Sequence, residues 1–169
     1  RIFARNNPQS KMAVTGCYAQ TDPHKFAQLP NIGWVVCNRL KARTVEIISK
    51  YPAGGEPLEF ADSAMPASPE IVCGSQPLTD RMNLKIQDGC DNACAYCIIP
   101  RARGLPQSRK FGDIVRDAEN LVERGVREIV LTGINIAKFS APEGGLAALV
   151  DRLDKIPELL RIRLGSLEP

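Results

Sequence analysis

The residues predict an α/β chain in two parts, each built on a parallel sheet. Short apolar runs, Lys11–Gly16, Ile32–Val36 and Val126–Leu131, read as buried strands and alternate with stretches of helical period. A stretch dense in proline and glycine, from Tyr51 to Asp80, separates two such alternations. The last part reads strand, helix, strand, helix, strand, which is how a parallel barrel or a doubly wound sheet begins.

Composition agrees with a folded chain. Of 169 residues 44% are apolar and 24% charged, so an ordinary core is expected. The net charge of +3 is too mild to argue for nucleic acid, and only local clustering could. No apolar run approaches the roughly 20 residues a membrane helix needs, and the start has no signal-peptide layout. No membrane association and a cytoplasmic location are therefore expected. In a reducing compartment six cysteines read as metal-binding or catalytic rather than disulfide-bonded. The opening on Arg1 and the close on a strand, Arg161–Pro169, read as a fragment of something longer.

In the first part, residues 1–50, Lys11–Gly16 is a strand and its turn, with Cys17 at its carboxyl end, where open α/β sheets place ligands. Thr21-Asp22-Pro23 can start a short helix. Ile32–Val36 is a second strand, and Leu40, Val45, Ile47 and Ile48 are expected on one face of a helix ending before Pro52. Residues 51–80 are read as a linker. The second part, 81–169, begins with a strand at Leu84–Gln87. A helix carries Ile114, Val115, Ala118, Leu121 and Val122 on one face, with Gly125 as its C-terminal cap. The strand Val126–Leu131 ends at Thr132-Gly133. A helical stripe of Leu146, Leu149, Val150, Leu153 and Ile156 stops at Pro157, before the strand Arg161–Leu167. In either architecture the working residues sit at the carboxyl ends of the strands. The segment after Gln87, Thr132–Asn135 and Ser166–Glu168 all fall at such ends.

The chemistry concentrates after the first of these ends. Cys90, Cys94 and Cys97 are spaced C-x3-C-x2-C on one short loop. Three thiolates are one too few for a closed zinc site, and His24, the only histidine, lies in the other part. They suit an iron–sulfur cube with one iron free of protein ligands. A zinc knuckle, three buried thiols and a dithiol at Cys94–Cys97 are the plainer alternatives. Arg101, Arg103, Arg109 and Lys110 follow as a basic group, either contacts to nucleic-acid phosphates or a solvated loop. Cys37 and Cys73 read as plain thiols.

The cysteine loop, with Tyr96 before its last cysteine, resembles the signature of radical S-adenosylmethionine enzymes. Gln87–Gly104 with Ser108-Arg109, Glu128–Asn135, Arg161–Pro169 and Gly16–Gln20 resemble the methylthiotransferases of that group. Among them the chain is most like those acting on threonylcarbamoyl-adenosine beside the tRNA anticodon. Enzymes of isopentenyl-adenosine tRNA or of a ribosomal-protein aspartate are alternatives, and so is a non-catalytic, metal-stabilised RNA-binding fragment.

The resemblance implies the C-terminal part of a Rossmann-like N-terminal methylthiotransferase domain (1–50), the linker (51–80), and the first β-α-β-α-β of a radical-SAM partial (β/α) barrel (81–169). It implies a 4Fe–4S cluster on Cys90, Cys94 and Cys97 that binds S-adenosylmethionine and cleaves it reductively. Tyr96, Thr132, Gly133, Asn135, Ser166 and Glu168 are then implied around that cofactor. Cys17 matches one ligand of a second 4Fe–4S cluster, whose other ligands would precede Arg1. A tRNA substrate met by Arg101, Arg103, Arg109 and Lys110, an external electron donor and a monomeric state complete the expectation. Ala93, Ala95 and Arg101 depart from the family's usual residues, which loosens the subfamily assignment. As a fragment, the chain is not expected to complete the reaction.

Overall fold

In the computed structural model, which describes residues 2–54, 58–60 and 79–168, the chain divides into two compact units. One is Arg1–Glu70 with Arg101–Arg103, the other Ile71–Pro100 with Gly104–Pro169.

The first unit is organised on Ile32–Val36 (β2), whose five residues are all buried. A strand buried on both faces needs apolar residues at consecutive positions, which is why IGWVV does not alternate. It lies between Met12–Thr15 (β1) and Leu58–Phe60 (β3), both parallel to it. Helices α1 (Ile2–Asn6), α2 (Cys17–Thr21), α3 (Pro23–Ala27) and α4 (Thr44–Lys50) are short. Trp34 and Val36 pack with Leu40 and Ile47, whereas Ile32 and Val35 pack with Ala19 and, more exposed, Phe26. Proline opens α3 directly after Asp22, as expected.

Two readings change here. Val45 is 77% exposed, because a 3-10 turn at Asn38–Arg43 precedes α4 and shifts the phase of the predicted stripe. Leu58–Phe60, inside the predicted linker, is a strand. Positions 55–57 and 61–78 of that linker, Cys73 included, lie outside the described residues.

The second unit holds β4 (Arg81–Lys85), β7 (Glu128–Thr132) and β10 (Arg161–Leu164) in one parallel sheet with β7 at its centre. Two small antiparallel pairs accompany it, β5 (Gln87–Asp88) with β6 (Gln107–Ser108) and β8 (Ser140–Ala141) with β9 (Gly144–Gly145). Helix α5 (Ile99–Arg103) follows the cysteine loop, and α6 (Phe111–Glu123) and α7 (Leu146–Leu153) carry the chain from β4 to β7 and from β7 to β10.

The five predicted core positions of α6 are buried, and Leu149, Leu153 and Ile156 join the same core as Ile129 and Leu131 of β7. Helix α6 ends as its sequence demands. Gly125 takes φ +96 and donates to the Val122 carbonyl at 2.9 Å, while Val126 donates to that of Leu121 at 3.0 Å. This is the Schellman pattern, and Val126 and Leu121 bring its apolar contact into the core.

The strand expected at Leu84–Gln87 ends earlier. The Ile86 N–H donates to Thr132 O and its carbonyl accepts from Arg109 N, both at 2.9 Å, so the chain leaves the parallel ladder there. Gln87–Asp88 then pairs antiparallel with Gln107–Ser108. This turn out of the sheet launches the cysteine loop.

Candidate functional site

Parallel strands in sequential order place their carboxyl ends along one edge, and backbone hydrogen bonds join these ends. Gly165 N donates to Leu131 O at 3.0 Å, Ile136 N to Ser166 O at 3.1 Å, and Ile86 N to Thr132 O. The segment Ile86–Cys90, Thr132–Ile136 and Gly165-Ser166 are thus one construction, as the sequence reading expected.

The cysteine loop is shaped by glycine and by a return of the chain. Gly89 takes φ +73 and approaches the Gly104–Leu105 backbone so closely that a Cβ there would lie 2.2 Å from Leu105 O. That approach lets Cys90 N donate to Gly104 O at 3.0 Å. Cys90 is buried, and its Sγ accepts the Asn92 amide at 3.4 Å. Cys97 N donates to Cys94 O at 3.0 Å, a turn that makes the C-x2-C pair compact. Cys94 is exposed, Cys97 partly so, and Tyr96 stands 92% exposed.

Among the described residues no three of His, Cys, Asp and Glu are gathered as a metal-binding group. The donor set nevertheless fits a thiolate-held group. All three cysteines are free thiols. The two carboxylates nearest in sequence are ion-paired: Asp88 with Lys85 at 2.7 Å, and Asp91 with Lys138. The Lys138 ammonium holds the Asp91 carboxyl below its ordinary range, and Asp91 in turn raises the lysine. What the loop leaves available is soft sulfur, which selects iron–sulfur clusters over hard cations.

The β7 end is held by Gln87, whose side chain is 1% exposed. Its Oε1 accepts from Ile134 N at 3.1 Å and Asn135 N at 3.0 Å. Its Nε2 donates to the carbonyls of Asp88 at 2.8 Å and Gly89 at 2.7 Å. Asn135 is buried, and its side chain caps the following 3-10 turn by accepting from Ala137 N at 3.1 Å. Gly133 packs against Gln87: a Cβ there would sit 2.9 Å from both Gln87 O and Oε1.

The remaining predicted residues divide. Thr132 is partly buried beside Gly133, whereas Ser166 and Glu168 are exposed. Ser166 takes φ +60 and contributes its carbonyl to the Ile136 amide. Cys17 belongs to the first unit, where it opens α2 directly after Gly16 at φ +112, partly buried. Arg101 and Arg103 lie on α5, Arg101 exposed and Arg103 partly buried, and Lys110 is exposed before α6.

Arg109 is engaged inside the second unit and does not share the exposure of Arg101 and Lys110. Its guanidinium reaches Asp117 Oδ2 at 2.5 Å and Lys85 O at 3.0 Å, with the two side chains only 12% and 6% exposed. It is a partly buried ion pair bracing β4 against α6, because the helical phase that buries Ala118 and Leu121 buries Asp117 too.

The sequence reading passed over Gln87, Gly89, Asp91 and Lys138 as individual residues. For Gln87 a signal existed, a polar residue directly after the apolar Ile86 at a strand end. The Asp91–Lys138 pair, 47 residues apart, has no such signal.

Residues 84–162 match the radical SAM superfamily. Over 169 residues, its whole length, the chain is 35% identical to a threonylcarbamoyladenosine tRNA methylthiotransferase of Chlamydia pneumoniae. It is 36% identical, over 99% of its length, to the protein of that name from Bacillus subtilis. A tRNA-2-methylthio-N(6)-dimethylallyladenosine synthase of Ruegeria pomeroyi is 36% identical over 96% of the chain. The chain spans 37%, 38% and 38% of the length of these three relatives.

Proposed function

We propose that the chain is a radical SAM protein that serves the attachment of a methylthio group to a modified tRNA adenosine, since residues 84–162 match that superfamily and the chain is similar along its length to methylthiotransferases. The observation that carries this reading is the loop Cys90–Cys97. It offers three free thiols, its one carboxylate, Asp91, is paired with Lys138, and Cys90 N is held by a hydrogen bond to Gly104 O.

Cys90, Cys94 and Cys97 would hold a 4Fe–4S cluster, which when bound supplies the electron that cleaves the sulfonium of S-adenosylmethionine. The protein's part is placement and exclusion of water. Gly89 and the Gly104 carbonyl fix where Cys90 stands. Thr132, Gly133 and Asn135 at the β7 end would contact the cofactor, with Tyr96 from the loop and Ser166 and Glu168 from the β10 end as further candidates. Arg101 and Lys110 meet tRNA phosphates through charge, a contact that positions without reading sequence. Arg103 stands with them more weakly, being partly buried. Cys17 is the ligand this chain would give to a second cluster in the first unit.

The target we prefer is threonylcarbamoyl-adenosine, at C2 and beside the anticodon; the relatives from Chlamydia pneumoniae and Bacillus subtilis, named for threonylcarbamoyladenosine, support the nucleoside. The dimethylallyl-adenosine reading rests on the relative from Ruegeria pomeroyi. The architecture that suits this function is a Rossmann-like first unit and the opening β-α-β-α-β of a partial barrel, acting as a soluble monomer with an external electron donor.

Anaerobic reconstitution with iron and sulfide, followed by reductant and S-adenosylmethionine, tests the class. Uptake of about four irons on the Cys90 loop and release of 5′-deoxyadenosine support it, whereas tight zinc without iron uptake overturns it. Incubating the full-length protein with tRNA carrying either modified adenosine then separates the two substrates by which nucleoside gains a methylthio group.

A further inference from the structure

Every hydrogen-bonding position of the Gln87 amide is used, and the two groups of partners come from different strand ends. Its oxygen takes the amides of Ile134 and Asn135, and its nitrogen takes the carbonyls of Asp88 and Gly89. Two N–H donors and two lone pairs are the whole capacity of a glutamine side chain. The pattern also fixes which end is oxygen. A flipped amide would set NH2 against two N–H groups and oxygen against two carbonyls.

No other residue type reproduces this. Glutamate cannot donate to both carbonyls, asparagine is a methylene short, and an apolar side chain would take this partner from four main-chain groups, two of them in buried and two in part-buried contacts.

Resting on the function proposed above, we propose that Gln87 is a positioning residue for the cofactor. It fixes the Gly89-Cys90 entry of the cysteine loop against Ile134-Asn135, so that the cluster and the S-adenosylmethionine loop form one preorganised unit. Gly133 belongs to the same device, since any Cβ there would press on the Gln87 oxygens at 2.9 Å. The coupling reaches the third strand end, because Ile136, next to Asn135, donates to Ser166 O. Residues that orient the ligands of a metal site without touching the metal typically change affinity or activity about 10- to 100-fold when removed.

The test uses the full-length protein, reconstituted anaerobically, as wild type, Gln87→Ala, Gln87→Glu and Leu149→Ala. Leu149 lies on the core-facing side of α7, is fully buried and controls for lost stability alone. Iron per chain, S-adenosylmethionine affinity by equilibrium dialysis, and the EPR spectrum of the reduced cluster with and without S-adenosylmethionine are read for each.

Gln87→Ala is expected to weaken S-adenosylmethionine binding about 10- to 100-fold and to change the EPR response to it. Gln87→Glu, which keeps both acceptor contacts, should fall between Gln87→Ala and wild type. Leu149→Ala should melt lower yet bind and respond as wild type does. Unchanged affinity and spectrum in Gln87→Ala overturn the proposal, as does an equal loss in Leu149→Ala. If Gln87→Ala does not fold, wild-type affinity in Gln87→Glu overturns it. Failure of the wild type itself to take up iron refutes the proposed function, and this inference with it.

Discussion

Gly89→Ala is the sharpest perturbation of the cysteine loop that leaves every thiol in place. The residue takes φ +73, and the added Cβ would lie 2.2 Å from Leu105 O, 2.7 Å from Gly104 O and 2.8 Å from Leu105 C. All three are backbone atoms, so no side-chain rotation relieves them. The left-handed conformation alone costs an alanine about 1–2 kcal/mol. Moving the Gly104–Leu105 backbone away also breaks the Cys90 N–H bond to Gly104 O, and a buried donor left unpaired costs about 1–3 kcal/mol. The sum is roughly 2–5 kcal/mol. Urea denaturation of Gly89→Ala should show that loss, with poorer iron retention after reconstitution. Gly112→Ala is the matched control, since Gly112 lies in α6 with nothing within 4 Å of its added Cβ, and it should gain about 0.5–1 kcal/mol. A Gly89→Ala protein as stable as wild type would refute the close-approach argument.

Arg109→Ala should destabilise the fold by about 3–5 kcal/mol, because it strands the Asp117 carboxylate in a largely buried site. The double variant Arg109→Met with Asp117→Leu should recover much of that in chemical denaturation. If Arg109→Ala instead leaves stability intact and weakens tRNA binding, the assignment as an internal brace fails. Glu128 is held below its ordinary range chiefly by Arg163 and also by Arg161. Its stabilisation is therefore fully present above the ordinary glutamate value and disappears as pH falls through the depressed one. Melting temperatures of wild type and Glu128→Gln should differ at neutral pH and converge in acid, and a constant gap would contradict the ion pairing. Cys94→Ala should lose the cluster on the Cys90 loop, and full iron content there would remove Cys94 from the ligand set.

The helices α6 and α7 were legible because their period is written in residues that must be buried. Ile114, Val115, Ala118, Leu121 and Val122 form one stripe, and Gly125 marks where left-handed backbone closes it. The buried strand β2 was legible for the same reason. The exit from β4 was not, since Leu84-Lys85-Ile86-Gln87 continues the alternation of a strand. The bond of the Ile86 carbonyl to Arg109 N, in place of a partner on β7, takes the chain out of the ladder. The phase of α4 was lost in a similar way, to a 3-10 turn that no apolar pattern announces.

For the candidate site, the cysteine spacing and the grouping of strand ends follow from the chain alone. Ligand chemistry depends on residue type, and sequential parallel strands must end on one side. Tertiary structure decided which neighbours serve that site and which serve the fold. Arg109 reads as one more cation of a basic cluster, yet Asp117 and the Lys85 carbonyl claim it. Gln87 reads as one letter of a motif, yet four backbone groups, two of them in a segment 47 and 48 residues away, converge on its buried amide. A sequence carries periodicity and spacing along the chain. The partner of a buried polar group is set by which segments packing brings together, and that is a property of the folded molecule.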